Sequence, residues 1–438
     1  MTQKLRVAGM LVLPGGLLLL SGGAGCAVLY LLLPFLHHGP DLLVTNLTVA
    51  SVATIGLTLG FGLMYHGRRF LGGHTSATFY PPSPRRWILL FFLCLFVGQL
   101  MVSVLPAARF TALAFPLFHI LAAATPALAI LAFVGRRTTA ASWRTVLLEL
   151  SHGAVLAPLG ALAAELAVVL AVVAAIALVV AFTPGGVERL VDLSLNLQDP
   201  TWLENTENLA GLVLSPAALF AITLVFVVMA PLIEELLKGL GVLLLGYRLR
   251  GQAEALLWGV ACGAGFAIGE SLFNGSIALE GWGAVMLMRC GASLMHCTAS
   301  GVMGLGWQQA LVRKRPWRLL AAYGASAGAH ALWNAAAVAV AVPSLLLVSS
   351  PGDLWKQGLG GLVMLAALAL LIALTISMGL AIVRLTNRAR QASSEEPLAA
   401  GEQVVAAKTS YSAIADPEVC NQRTTIHETG GADEVLRY

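Results

Sequence analysis

The chain has 438 residues, 58% of them hydrophobic and only 11% charged, with a net charge of +4 and a mean hydropathy of +0.83. A soluble domain carries about 25% charged residues, so the composition excludes a soluble globular protein or a nucleic-acid binder and fits an integral membrane protein. Six cysteines lie mostly in apolar segments without a Cys-x-x-Cys pair, which excludes a disulfide framework and a zinc knuckle.

In chain order, Lys4 and Arg6 precede an apolar run that is too long for a cleaved leader, although "GAGC" at 23–26 faintly resembles a lipoprotein cleavage site. Ten hydrophobic segments follow one another, at roughly 8–36, 42–66, 87–106, 110–134, 154–182, 212–246, 255–279, 284–311, 319–347 and 358–383. Each reaches the ~20 residues that a membrane-spanning helix needs. The basic residues alternate between the connecting loops. Lys4, Arg6, Arg68, Arg69, Arg85, Arg86, Arg136, Arg137, Arg144, Arg248, Arg250, the "VRKRPWR" loop, Arg384, Arg388 and Arg390 fall on one side. The other side holds Arg109, Arg189 and Lys356. The positive-inside rule then predicts an all-α, polytopic membrane helix bundle of about ten transmembrane helices, with both termini cytoplasmic. A multi-pass protein of the plasma membrane is the expected setting.

The expected organisation is a five-span N-terminal region (1–183) without an assignable role, an extracytoplasmic loop (184–211), a core of spans six to nine (212–347), a last span (348–390) and a tail (391–438). The tail is polar, mixed in charge and aperiodic, which predicts a disordered cytoplasmic extension. In the external loop "VERLVDLSLNL" is half amphipathic, and the segment reads first as a solvated connector.

Nine ionisable residues fall well inside the spans: His119, Glu165, Glu234, Glu235, Lys238, Glu270, Arg289, His296 and His330. A charge at the centre of a membrane helix costs about 2.5–3.5 kcal/mol on insertion scales, so each requires compensation. All but the first two crowd into spans six to nine. Counted from the basic or polar ends of their spans, Glu234, Glu270, His296 and His330 all lie about 18–26 Å from the cytoplasmic edge, at 1.5 Å per residue. Glu234 and Lys238 share a helix face at i,i+4, with Glu235 beside Lys238 at i,i+3. "FAIGESLFN" places Phe266, Glu270 and Asn274 on one face, and "HALWN" does the same for His330 and Asn334. Glycines 259, 263, 265 and 269 let neighbouring backbones approach the seventh span closely. The carboxyls of Glu234 or Glu235 and of Glu270 are therefore expected within about 8 Å of His296 or His330, close enough to share a water or a metal. Taken singly, these residues also have structural readings: a self-neutralising Glu–Lys brace, an interhelical clasp, and an Arg289 that snorkels to the outer edge. His119 and Glu165, without nameable partners, read as structural.

Elimination narrows the chemistry. All six aspartates (41, 192, 199, 353, 416, 433) lie outside the spans, which removes an aspartyl dyad. The only His-Glu pair, His427-Glu428, is in the tail and lacks a second histidine in register. "GASAG" at 324–328 matches a serine elbow only by composition, because that elbow needs a strand-to-helix turn. A glutamate-based site remains. A desolvated carboxylate can act as general base on water, Lys238 can keep one of the paired glutamates ionised, and His or Asn side chains can donate to an oxyanion. Alternatively, Glu235, Glu270, His296 and His330 could hold a Zn²⁺ whose bound water attacks the peptide. The residues leave both open.

At "EELLK", "FAIGE", "RCGASLMH" and "HALWN" the chain resembles the PrsW-like family of intramembrane proteases, relatives of the CAAX prenyl and bacteriocin-processing membrane proteases, over about residues 225–340. The resemblance implies an intramembrane endopeptidase acting on membrane-associated protein substrates within the bilayer, such as a single-pass anti-sigma factor. It implies a catalytic set of Glu234, Glu235, Glu270, His296, His330 and Asn334, supported by Lys238, Asn274 and Arg289. Family members often have Asn directly after the second-motif glutamate. This chain has Ser271 there, with Asn274 available from the next turn. The alternatives from other classes are a proton- or cation-coupled secondary transporter with a midplane acidic site, and an inactive membrane scaffold. Transporters of that kind repeat their site in two related halves. Here the first five spans have no matching set.

Overall fold

The structure, a computed structural model, describes residues 3–414 apart from 38, 40, 106–108, 278, 280, 350 and 351. The chain divides into a unit Met1–Arg390 and a second unit Gln391–Tyr438. Long helices build the first: α1 (Gln3–Leu36), α2 (Leu42–Leu71), α3 (Pro84–Val104) and α4 (Arg109–Thr138). Then α5 (Trp143–Ser151) runs through a π-turn, His152–Leu156, into α6 (Ala157–Ala181). Three short helices follow, α7 (Gly186–Asn196), α8 (Pro200–Glu204) and α9 (Thr206–Val213). Next, α10 (Pro216–Ile222) passes through a second π-turn, Thr223–Met229, into α11 (Ala230–Leu244). The remaining helices are α12 (Gln252–Ile277), α13 (Trp282–Leu311), α14 (Pro316–Ser349) and α15 (Leu354–Ile414). No strand occurs among the described residues, apart from an isolated bridge between Thr78 and Ser142.

Among the described residues, nine helical rods are long and apolar enough to cross a membrane: α1 to α4, α5–α6, α10–α11, α12, α14 and α15. The protein is an all-α polytopic membrane bundle. α13 is as long as these, at 30 residues. Its composition is more polar because Arg289, Ser293, His296 and Gln308 turn inward and are buried. The sequence suggests about ten spans; nine described rods meet the apolarity that crossing needs, and α13, the eighth segment read from the sequence, matches them in length alone. The fifth rod begins at Trp143, well before the expected 154, because Arg144, Glu149 and His152 lower the hydropathy of a stretch that is helical and largely buried. α15 continues to Ile414, past the point where an irregular tail is expected, through a stretch rich in Ala, Glu and Gln, which favour helix. The remainder of that tail, including Cys420 and His427-Glu428, lies outside the described residues.

The basic loops meet at one end of the first unit. Arg136 donates to Pro81 O (2.8 Å) and Arg144 to His74 O (2.9 Å), while Arg137 reaches Asn387 on α15 at 3.1 Å. Arg144 also lies within electrostatic range of Arg69 and Arg248, so three separate stretches of chain bring arginines to a common end, as the positive-inside rule expects of a cytoplasmic face.

α12 is the axis of the bundle. Leu256, Leu257, Trp258, Val260 and Ala261 are fully enclosed, and α12 packs against α2, α4, α5, α6, α11 and α13. Its glycines set the spacing to α13. A methyl group at Gly259 would collide with Ser300 O, and one at Gly263 would collide with His296 O. On the opposite face a methyl at Gly265 would collide with Leu150 O. Without a driving force from water, such backbone contact is how membrane helices gain dispersion energy. It also brings α13, with His296, directly against α12.

Candidate active site

The "EELLK" motif lies one turn into α11, which follows directly on the second π-turn. Glu235 and Lys238 are fully buried, and the Glu234 side chain is 12% exposed. Lys238 Nζ lies 2.5 Å from Glu235 Oε1 and 3.5 Å from Glu234 Oε2. The ammonium also sits 4.2 Å above the ring of Phe266, which gives the aromatic residue of the second motif a physical role as a cation–π platform. A fourth contact, 3.0 Å to His296 Nδ1, links the lysine to α13.

Two imidazoles close the cluster. His330, on α14, places Nδ1 3.0 Å from Glu235 Oε1 and Nε2 3.8 Å from Glu234 Oε2. His296 places Nε2 2.6 Å from Glu270 Oε2. The two rings meet edge to face with centroids 4.9 Å apart. These contacts assign tautomers: Glu235 accepts the Nδ1 proton of His330, and Glu270 the Nε2 proton of His296. His296 Nδ1 then accepts from the lysine, and His330 Nε2 keeps its lone pair facing Glu234. The expected proximity of carboxylates and imidazoles is met with distance to spare.

Glu270 is held by two side chains besides His296. Arg289 forks it, with its two terminal nitrogens 3.0 and 2.7 Å from Oε1 and Oε2, and Asn274 donates to Oε1 at 3.0 Å. Arg289 Nε donates to Ser271 Oγ at 3.1 Å. The snorkelling expected of Arg289 is therefore not what the fold does: the side chain is buried and folded back onto α12. A planar guanidinium can satisfy a carboxylate and a hydroxyl simultaneously, and in an apolar medium that outweighs reaching the interface. Ser271, where relatives often have Asn, anchors the arginine, and Asn274 contacts the carboxylate from one turn further on.

Asn334 lies apart from this network. Its side-chain N–H donates to Phe226 O at 2.9 Å, inside the π-turn that precedes the Glu-Glu pair. A π-turn leaves a carbonyl poorly engaged, and Asn334 takes it up. One of its two amide hydrogens is thus committed to shaping α11 rather than to an oxyanion. Ser326, in the Gly-x-Ser-x-Gly match, is mid-helix and donates to Ala299 O at 2.9 Å.

The two residues left as structural behave differently. His119 is a satisfied core histidine, receiving Trp282 Nε1–H at 2.9 Å and contacting Leu272 O at 3.0 Å. Glu165, on α6, lies within electrostatic range of both Glu234 and Glu270, and its Oε1 is buried without a hydrogen-bond partner. It follows Pro158, which contacts Gly269, by two turns on the same face of α6. Glu149, which hydropathy places outside the spans, is enclosed with neither oxygen hydrogen-bonded and lies against Gly241 of α11. A search for acids within apolar windows finds Glu165 but not its direction, and it misses Glu149 because Arg144 ends the window too early.

One ligand atom each from Glu234, His296 and His330 lies within 4.8 Å of the others. Glu234 Oε2 is buried without a hydrogen bond, which is the mark of a group with room for one more partner. This trio fits a divalent cation with an open position. Two of the carboxylates expected as ligands are engaged elsewhere, Glu235 by Lys238 and His330, Glu270 by Arg289, Asn274 and His296. Glu235 keeps its second oxygen without a hydrogen bond, but Glu234 is the acid grouped at ligand distance with both histidines.

Comparison with known proteins gives a family match for this part of the chain. Residues 159–374 match the PrsW family intramembrane metalloprotease, a wider stretch than the motifs span, taking in α6 with Glu165 and part of α15. No curated protein and no solved structure matches the chain. The match supports the resemblance to the PrsW family of intramembrane proteases read at the four motifs, and with it intramembrane peptidase activity.

Proposed function

We propose that Glu234, Glu235, Glu270, His296 and His330 form the site at which this peptidase cleaves membrane-embedded protein substrates, single-pass proteins being the natural class. The observation that carries the reading is the unequal commitment of the three acids. Glu270 is fixed by Arg289, Asn274 and His296, and Glu235 is held through Oε1 by Lys238 and His330. Glu235 Oε2 and Glu234 Oε2 are both buried without a hydrogen bond, and Glu234 is the acid with an oxygen within 4.8 Å of a ring nitrogen on each of His296 and His330.

The division of labour follows. Glu234 takes a proton from water as the water oxygen bonds to the scissile carbonyl carbon, and then delivers it to the amide nitrogen as the C–N bond breaks. Lys238, shared between Glu235 and Glu234, offsets the charge of the pair. Glu235 orients His330, and Glu270 orients His296, as carboxylates do for imidazoles in hydrolytic and metal sites. Arg289, Asn274 and Ser271 in turn fix Glu270. If the protein carries a divalent metal, Glu234, His296 and His330 are the residues to hold it. Its chemistry there would be Lewis-acid polarisation and a lowered pKa of bound water. Both ring nitrogens of His296 already have partners, so ligation would replace one of these contacts.

The test is a cleavage assay with protein reconstituted in lipid vesicles and a panel of single-pass membrane proteins, with products identified by mass spectrometry. Cleavage by the wild type that is lost in Glu270→Gln supports the reading. Cleavage that survives replacement of Glu234, Glu270 and His330 together contradicts it.

A further inference from the structure

α7 is an unusual connector. Gly185, with a left-handed φ of +63°, ends the α6 span and starts α7. Val187, Leu190, Val191 and Leu195 then recur at helical spacing along one side, while Glu188, Arg189, Asp192 and Asn196 occupy the other. Three of the apolar residues remain open, Val187 at 56%, Val191 at 50% and Leu195 at 60% exposure. The polar face is tied back, since Arg189 donates to Thr183 Oγ1 at 2.6 Å.

What covers this face can be read from its position. It begins four residues after the lipid-facing end of α6, where Phe182 is 84% exposed. Leu354 and Trp355 at the start of the α15 span are also open. Large apolar and aromatic side chains at span ends mark the membrane–water boundary. The open apolar residues of α7 thus follow directly on the exposed end of α6, against which α7 packs. Charge selects the kind of lipid surface. Residues 186–213 hold Glu188, Asp192, Asp199, Glu204 and Glu207 against one base, Arg189, so attraction to anionic headgroups is excluded. Apolar insertion into an uncharged leaflet remains.

We propose that α7 is an interfacial helix lying on the external leaflet, with Val187, Val191 and Leu195 sunk into the headgroup–acyl boundary and Glu188, Arg189 and Asp192 in water. The solvated connector that composition suggests would waste those three side chains. Because α7 to α9 join α6 to the rod that carries Glu234, the helix fixes the outer end of α6 to the bilayer surface.

Single cysteines at 187, 191, 195, 188, 192 and 196, in a background lacking Cys26, Cys290 and Cys420, test this in the full-length protein. The sites lie on an exposed external helix, so labelling leaves the bundle intact. Nitroxide labels are read in phosphatidylcholine vesicles by collision with oxygen, which partitions into lipid, and with a water-soluble nickel chelate. The expected result is a 3.6-residue periodicity, with oxygen favoured at 187, 191 and 195 and nickel favoured at 188, 192 and 196. The pattern should be unchanged when phosphatidylglycerol is added. Equal access of nickel to both faces would overturn the proposal in favour of a solvated connector. Protection of 191 from both reagents would overturn it in favour of a protein surface covering α7.

Discussion

Replacing Arg289 by methionine tests most sharply whether the inward-folded guanidinium is real. The side chain makes two hydrogen bonds, one to Glu270 Oε1 and one to Ser271 Oγ, and a 2.7 Å ion-pair contact to Glu270 Oε2. Arg289 is 10% and Glu270 29% exposed at the side chain, so the pair is largely screened from water. Removing one partner of a buried ion pair costs about 3–5 kcal/mol, because the remaining charge is left uncompensated. Glu270 retains His296 and Asn274, which places the expected loss at the lower end, about 3 kcal/mol or roughly a 150-fold shift in the unfolding equilibrium. Unfolding in mixed micelles, followed by the fluorescence of the buried Trp258, Trp282 and Trp333, measures it. The double variant Arg289→Met with Glu270→Gln should recover most of the stability and none of the activity, since the carboxylate that orients His296 is gone. An arginine that snorkels to the outer edge would give a near-neutral single variant and no coupling with Glu270, and that result would refute the reasoning.

Lys238→Met should destabilise by a similar ~3 kcal/mol, because Glu235 is fully buried and loses its closest cation, with partial rescue by Glu235→Gln in the same unfolding assay. Gly263→Ala forces a methyl against the His296 carbonyl, and overpacking of this kind costs about 1–3 kcal/mol; loss of cleavage alongside it would show that α12–α13 spacing positions the imidazole. If the site is loaded with a metal, purified protein should contain about one divalent ion per chain by elemental analysis. His330→Ala should lower that content while retaining the fold, and a strong chelator should abolish cleavage reversibly. For orientation, a cysteine at position 314 should be inaccessible to a membrane-impermeant reagent in intact cells, and one at 192 should label; labelling of 314 from outside would overturn the ten-span arrangement.

Much of the fold is legible in the sequence because hydropathy and basic loops are one-dimensional signals. They fail where a helix turns its polar residues inward. α13 carries Arg289, His296 and Gln308 on buried positions and falls short of the apolarity of its neighbours. The stretch from Trp143 to Leu156 is helical although Arg144, Glu149 and His152 interrupt its hydropathy. The cluster was legible as a coincidence of depth, since acids and imidazoles from four successive spans are costly to place at one level without a shared purpose. Direction was not legible. Spacing places Arg289 near the outer end of α13, but only packing shows the guanidinium turned toward Glu270. Asn334 shares a face with His330, yet a π-turn, which no propensity scale anticipates, presents the Phe226 carbonyl that claims it. Glu165 required knowledge of which helix lies beside α11 and α12, and that is a property of the assembled bundle.

The central claim is that Glu234 moves the proton. Glu234→Gln preserves side-chain shape and leaves the 2.5 Å Lys238–Glu235 pair in place, so the unfolding midpoint should change little. Single-turnover cleavage of a confirmed substrate in lipid vesicles should nonetheless fall by at least ~10²-fold, the usual contribution of a general base. A Glu234→Gln protein that cleaves at the wild-type rate would contradict the account.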